Sequence, residues 1–89
     1  MPTFRIPTPL RPYSGGNSQV QVSGDTVGDA LDDLTGRYPE LRQHLYDGHQ
    51  LRNFVNIYLN QEDIRYGEGV ATTVEEDDTL MIVPSIAGG

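Results

Sequence analysis

The stretch Gly24-Asp-Thr26-Val-Gly-Asp29-Ala-Leu31-Asp-Asp-Leu34 decides how this chain folds. Thr26 followed three residues later by Asp29 fits a capping box, with the threonine side chain accepting from a free first-turn amide and the acid reaching back. Val27, Ala30, Leu31 and Leu34 recur at i, i+3, i+4 and i+7, so one apolar stripe faces a core. Asp29, Asp32 and Asp33 fall mostly off that stripe, and those nearest the helix start suit the positive end of the helix dipole. Asp32 and Asp33 are adjacent, so they diverge by about 100° and form a solvated face rather than a catalytic carboxylate pair. Gly36 and then Pro39 end the helix, and Leu41 and Leu45 predict a further short turn of helix running to Asp47-Gly48.

Before this helix lie two short alternating runs. Thr3 to Ile6 places Phe4 and Ile6 on one side, and Gln19-Val-Gln-Val-Ser23 alternates again. Pro7, Pro9 and Pro12 exclude regular structure between them, and Tyr13-Ser-Gly-Gly-Asn17 is turn-rich, so the two strands predict an N-terminal hairpin. After the helix, Asn53 to Leu59 is the most strand-like stretch, with Val55, Ile57 and Leu59 on its more apolar face and Phe54, Asn56 and Tyr58 on the other. Asn60-Gln-Glu-Asp63 reads as a turn, Ile64-Arg-Tyr66 as a short edge strand, and Val70 to Val74 fits no single element. Glu75-Glu-Asp-Asp78 is a turn and lacks the alternating acids and central glycine of a calcium loop. Thr79 to Val83 closes the series, with Leu80 and Ile82 on one face and Met81 and Val83 on the other. Strand, strand, helix, strand, minor strand, strand predicts an α+β layer: a mixed sheet of four to five strands over one main helix, the ubiquitin-like β-grasp plan.

The closing strand runs straight into Pro84-Ser-Ile-Ala-Gly-Gly89, so residues 1–84 are expected to form one domain and 85–89 a flexible tail. Fully extended, Ser85 to Gly89 reach about 17 Å at roughly 3.3–3.6 Å per residue. Two glycines without Cβ atoms allow the end of that reach to thread a narrow channel. At ordinary glycine usage a terminal Gly-Gly arises by chance in roughly one chain in two hundred, so the rest of the chain must support it.

Composition narrows the chemistry. The 89 residues hold no cysteine, which removes thiolate nucleophiles, disulfides and cysteine metal sites. The net charge is −7 and all six cations are arginines, so a phosphate backbone is repelled and nucleic acid is not an expected partner. The acidity instead favours steering toward a basic protein surface. No membrane span and no signal-peptide plan is visible, which predicts a cytoplasmic protein, monomeric on its own. No Gly-x-x-x-x-Gly-Lys phosphate loop and no nucleophile-elbow serine occurs, and Gly15-Gly16 and Gly67-x-Gly69 are turn glycines. His44 and His49, five apart, would not share a helix face and read as surface or packing histidines. The terminal carboxylate is the one reactive group left. It is a poor electrophile until given a leaving group, and adenylation by ATP needs metal ions and cations this chain does not spare. The chain is therefore not expected to be an enzyme.

The stretches Thr26-Val-Gly-Asp-Ala-Leu-Asp-Asp-Leu34, Phe54-Val-Asn-Ile-Tyr-Leu-Asn-Gln-Glu-Asp63, Asp77-Asp-Thr-Leu80 and Pro84-Ser-Ile-Ala-Gly-Gly89 together resemble the MoaD/ThiS family of ubiquitin-like sulfur carriers over nearly the whole chain. Leu10-Arg-Pro12 with Gly15-Gly16, and the Phe54–Asp63 stretch, most resemble its actinobacterial cysteine-biosynthesis branch. The resemblance implies a β-grasp fold and activation of the Gly89 carboxylate by an E1-like adenylating enzyme that uses ATP and magnesium. Sulfur from a rhodanese or cysteine-desulfurase persulfide would then leave a thiocarboxylate on Gly89. In that branch the thiocarboxylate adds to an aminoacrylate held on pyridoxal phosphate (PLP) in a PLP-dependent cysteine synthase, and a JAMM-type zinc metalloprotease releases cysteine. The resemblance makes Gly89 the attachment point, Gly88 the residue that permits threading, and Ile86 and Ala87 small enough to line a channel. It implies that Met81 and Val83 face a partner, with Tyr58 a further candidate on the more polar face of its strand. It implies no cofactor bound by this chain. Electrostatic docking would rest on Glu75 to Asp78 and the helix aspartates.

Alternatives share the same tail. Molybdopterin, thiamin thiazole or tRNA could receive the sulfur in place of a cysteine precursor. A ubiquitin-like modifier joined through Gly89 to lysines of other proteins begins from the same adenylate, and a β-grasp binding module would use no tail chemistry at all.

Overall fold

The computed structural model describes residues 1–48, 50–52 and 55–84. Strand β1 (Thr3–Arg5) pairs antiparallel with β2 (Gln19–Gln21), the hairpin expected from their alternation. The connection differs from the irregular loop expected of three prolines: Thr8–Ser14 is a seven-residue 3-10 helix with Pro12 inside it. A 3-10 turn needs fewer amides than an α-helix, and the Leu10 amide meets the Pro7 carbonyl at 2.9 Å, so the prolines' missing donors cost little here. Leu10 and Ser14 are its buried residues, and Tyr13 stacks on His44 with ring centroids 4.0 Å apart. His44 is thus a packing histidine, while His49 lies outside the described residues.

Helix α1 (Val27–Arg37) starts where the cap predicts, with the Asp29 amide donating to Thr26 Oγ1 at 3.1 Å. Val27, Ala30, Leu31 and Leu34 are its fully buried stripe. The helix does not stop at Gly36 but runs to Arg37. Pro39, expected to finish it, instead opens α2 (Pro39–Leu45), because a proline at the first helical position forgoes only an amide that has no partner anyway. Leu45 ends that helix, since Tyr46–Asp47 (β3) turns back to pair with Gln50–Leu51 (β4).

Asp33 is not merely solvated. Its Oδ2 accepts from the Ser23 amide at 2.9 Å and from Arg37 at 2.8 Å, joining the end of the N-terminal hairpin to α1. The Ser23 amide, and with it the Arg37 guanidinium, hold the Asp33 carboxyl below the ordinary aspartate value against a smaller opposing effect of burial. A depressed folded pKa gives stability that is present above the unfolded pKa and lost as pH falls through the folded one. Asp33→Asn is therefore expected to lower the urea midpoint at neutral pH and to close that gap on acidification. A gap independent of pH would assign the loss to geometry alone.

Strand β5 (Val55–Leu59) is the long strand foreseen after the helices, with Val55 and Ile57 buried; the expected Asn53 and Phe54 positions lie outside the described residues. The expected four-residue turn is a two-residue one. Asn60 and Gln61 both take positive φ (50° and 75°), the geometry of a primed hairpin turn, so Glu62–Asp63 becomes strand β6. Asparagine suits this place doubly: Asn60 Oδ1 accepts from the Thr79 amide at 2.9 Å, and its Nδ2 donates to Asp78 at 2.8 Å. The edge strand expected at Ile64–Tyr66 is displaced by one step, because Asp63 caps a 3-10 turn there by accepting from the Arg65 amide at 2.9 Å. Gly69–Ala71 is another 3-10 turn, after which Thr73 bridges to Thr26.

The last strand, β7 (Thr79–Pro84), lies between the chain's beginning and its middle, giving the order β2-β1-β7-β5-β6. It runs parallel to β1 and antiparallel to β5. This mixed sheet with α1 against its inner face is the β-grasp fold. Phe4, Ile57, Leu80 and Ile82 meet the helix stripe in one buried core.

Candidate functional site

Strand β7 leads to the tail, so its two faces determine what surrounds the tail's base. Alternation sends Leu80 and Ile82 into the core, each no more than 1% exposed, and leaves Met81 and Val83 half-buried on the outer face. Residues directly opposite across a ladder share a face. Met81 stands opposite both Arg5 on β1 and Tyr58 on β5, and Val83 stands opposite Asn56. The structure thus brings the three expected surface residues, Met81, Val83 and Tyr58, onto one outer surface. Tyr58, the further candidate, is the cross-strand neighbour of Met81. Gly89, Gly88, Ala87 and Ile86 lie outside the described residues.

The register extends the central row to Gln19 beyond Arg5 and to Asp63 beyond Tyr58. One apolar centre is therefore flanked by a cation on one side and an anion on the other. Arg5, Gln19 and Asn56 were missed as surface-lining positions. Arg5 was visible as the polar member of an alternating run, but its placement beside Met81 depends on parallel pairing between the chain's two ends, which no local signal reports.

On the β1 side of Met81 the surface deepens into a groove of about 360 Å³. Ile6, Met81, Ile82 and Val83 supply its apolar lining, and Arg5 and Arg11 its charge. Glu75 to Asp78, the expected docking acids, form a tight turn at the start of β7, and Asp78 Oδ2 accepts from the Glu75 amide at 2.8 Å. That turn lies at the opposite end of the strand from Pro84, about 17 Å away at roughly 3.4 Å per residue. Among the described residues no group of three or more His, Asp or Glu is placed to hold a metal, and no helix is long and apolar enough to cross a membrane.

A mixed five-stranded sheet gripping one main helix, with an outer apolar strip beside the strand that carries the tail, defines a ubiquitin-like β-grasp protein. The chain belongs to the ThiS family, whose model matches residues 4–89. It is 43% identical to the sulfur carrier protein CysO of Mycobacterium tuberculosis (strain ATCC 25618 / H37Rv), over 98% of this chain and 97% of that protein. It is 38% identical to small archaeal modifier protein 1 of Haloferax volcanii, over 80% of this chain and 79% of that one. In structure it is similar to a chain of the Amycolatopsis orientalis BexX/CysO complex, with a TM-score of 0.91, 38% identity and full coverage of both chains. By their names these relatives are carriers and modifiers, not enzymes.

Proposed function

We propose that this chain is a ubiquitin-like sulfur carrier of the CysO type. The observation that carries this reading is a likeness to CysO spanning 98% of the chain, within a family match that reaches Gly89. An E1-like partner using ATP and magnesium adenylates the Gly89 carboxylate. The outer sulfur of a donor persulfide displaces AMP to give an acyl disulfide, and a second thiol, taking the donor's inner sulfur into a disulfide, releases the thiocarboxylate. The division of labour follows from charge: the phosphates of ATP need cations that an acidic, lysine-free chain does not provide. A thiocarboxylate sulfur is a soft nucleophile, suited to adding to an aminoacrylate held on PLP in a cysteine synthase, after which a JAMM-type protease frees cysteine. Incubation with the host's adenylating enzyme, ATP, magnesium and a sulfur donor, followed by intact-mass measurement, tests the first half. A sulfur-for-oxygen mass change at the C-terminus is expected, and its complete absence sinks the reading.

The likeness to an archaeal modifier protein supports a second use of the same adenylate, conjugation to lysines of other proteins. Branched Gly-Gly remnants on host lysines would establish that use. In either role the outer face of β7 is the docking surface. Met81→Glu places a charge at the centre of that apolar strip and is expected to weaken the adenylating enzyme's affinity at least about tenfold, the loss of one interface anchor. The melting temperature is expected to stay near that of the unaltered chain, because Met81 is only half-buried and Arg5 stands opposite it.

A further inference from the structure

The groove beside Met81 has a local polarity opposite to that of the whole molecule. The chain has 13 acidic residues against six arginines, yet among the described residues no acid lines this groove and two of the six arginines do. Its walls are fixed. Arg11 Nε donates to the Ile6 carbonyl at 3.1 Å, and the Ile6 amide donates to the Ser18 carbonyl at 2.8 Å. The 3-10 segment bearing Arg11 is held from behind by the Tyr13–His44 stack and by Asn17 Nδ2, which donates to the Ser14 carbonyl at 2.9 Å and to the Tyr38 hydroxyl at 3.3 Å. Neither the Arg5 guanidinium nor the terminal nitrogens of Arg11 have a hydrogen-bond or ion-pair partner among the described residues. Of the stretch Leu10-Arg-Pro12, Arg11 lines the groove.

We propose that the groove receives an acidic segment of the activating enzyme, with an apolar side chain against Ile6, Met81 and Val83 and a carboxylate against Arg5 and Arg11. The inference rests on the carrier reading above. Charge complementarity names the segment. A free phosphate would find no use for the apolar lining, whereas a peptide presenting an aspartate or glutamate beside an apolar residue satisfies both parts. The groove is also continuous with the Met81–Val83 surface at the tail's base. Contacts there are remote from the reacting carboxylate and position it. A basic enzyme surface attracted by the acidic body is unspecific; an acidic segment that fits a groove of opposite sign beside the last strand fixes which enzyme docks and how.

The test measures affinity of the purified activating enzyme at low and high salt, with the adenylation KM and kcat, for Arg5→Gln, Arg11→Gln, the double variant and the double Glu variant. Each single neutralisation is expected to weaken binding up to about fivefold, the upper end for an exposed ion pair. The double Glu variant should weaken it further and flatten its salt dependence. KM should rise while kcat at saturation holds. The Gln variants guard against misfolding, checked by their melting curves. A photocrosslinker at Gln19, on the groove wall, should mark an enzyme peptide containing Asp or Glu. The inference is overturned if the folded double Gln variant binds within about twofold of the unaltered chain at low salt, less than one exposed pair is worth. It is equally overturned if the crosslink falls only on basic peptides, or if binding is lost to a sulfur-accepting enzyme but not to the activating one. No adenylate on the unaltered chain would instead overturn the carrier reading, and this inference with it.

Discussion

Removing Gly89 alone is expected to abolish thiocarboxylate formation while leaving the melting curve unchanged. The variant ends in a carboxylate on Gly88, chemically equivalent but held back by one residue, about 3.3–3.6 Å. Attack on the α-phosphate requires reacting atoms about 3–3.5 Å apart, and a misplacement of only about 1 Å can cost roughly a hundredfold. The shortened tail can regain its reach only if the body shifts toward the enzyme, and docking through the proposed β7 surface would oppose that shift. Ala87 would also bring its Cβ into the place Gly88 had occupied, where a channel built for glycine has no room. Among the described residues the buried core runs from Phe4 to Ile82, seven positions short of the change. Intact mass after reaction with the adenylating enzyme is the readout. Ile86→Ala, which keeps the length, is the companion variant and should retain most of the product. Equal yields from the Gly89 deletion and the unaltered chain would show that the tail's reach is not what the enzyme measures.

The sequence made the elements near the helix legible because their signals are local. Thr26 and Asp29 mark a start, and Val27, Ala30, Leu31 and Leu34 need only helical geometry to declare their face. Strand alternation likewise separated Leu80 and Ile82 from Met81 and Val83, and the family resemblance set the second pair outward, where the structure leaves them half-buried. Two kinds of feature escaped. One is short structure at prolines and turns, where Thr8–Ser14, Pro39 and Glu62–Asp63 span too few residues to show a periodic repeat. The other is pairing between distant segments. The row Arg5–Met81–Tyr58 joins the first, last and middle strands, so neither the proposed docking surface nor the arginine-lined groove exists in any one window of sequence. The tail was the clearest functional signal in the sequence, and what the fold adds is the surface from which it leaves.

Gly24 illustrates the same limit with the largest expected effect on stability. In sequence it stands between the alternating run that ends at Ser23 and the helix cap at Thr26. In the structure it has a φ of +156°, and a Cβ built on it would stand 2.6 Å from the Ala30 amide nitrogen and 2.9 Å from Asp29 carbon atoms. Those neighbours belong to the first turn of α1 and cannot rotate aside as a side-chain tip could. The turn is also gripped elsewhere: the Val27 amide donates to the Thr72 carbonyl at 3.0 Å, and the Val74 amide to the Asp25 carbonyl at 2.9 Å. Gly24→Ala must therefore push the helix off its cap or tear these bonds. Backbone strain of about 1–3 kcal/mol and overpacking of a similar size make a loss of about 3 kcal/mol the expected result. For a domain of this size, about 4–8 °C per kcal/mol converts that into a melting temperature lowered by roughly 12–24 °C. Gly36→Ala is the control. It lies within α1 with nothing within 4 Å of a built Cβ, so it should stabilise the chain by about 0.4–1 kcal/mol. Opposite signs from the same substitution at two glycines of one segment would show that Gly24 is required by how closely β2's exit passes the helix. A Gly24→Ala melting curve matching the unaltered chain would mean that α1 can move away at no cost, and that the hairpin and helix are not locked together as described.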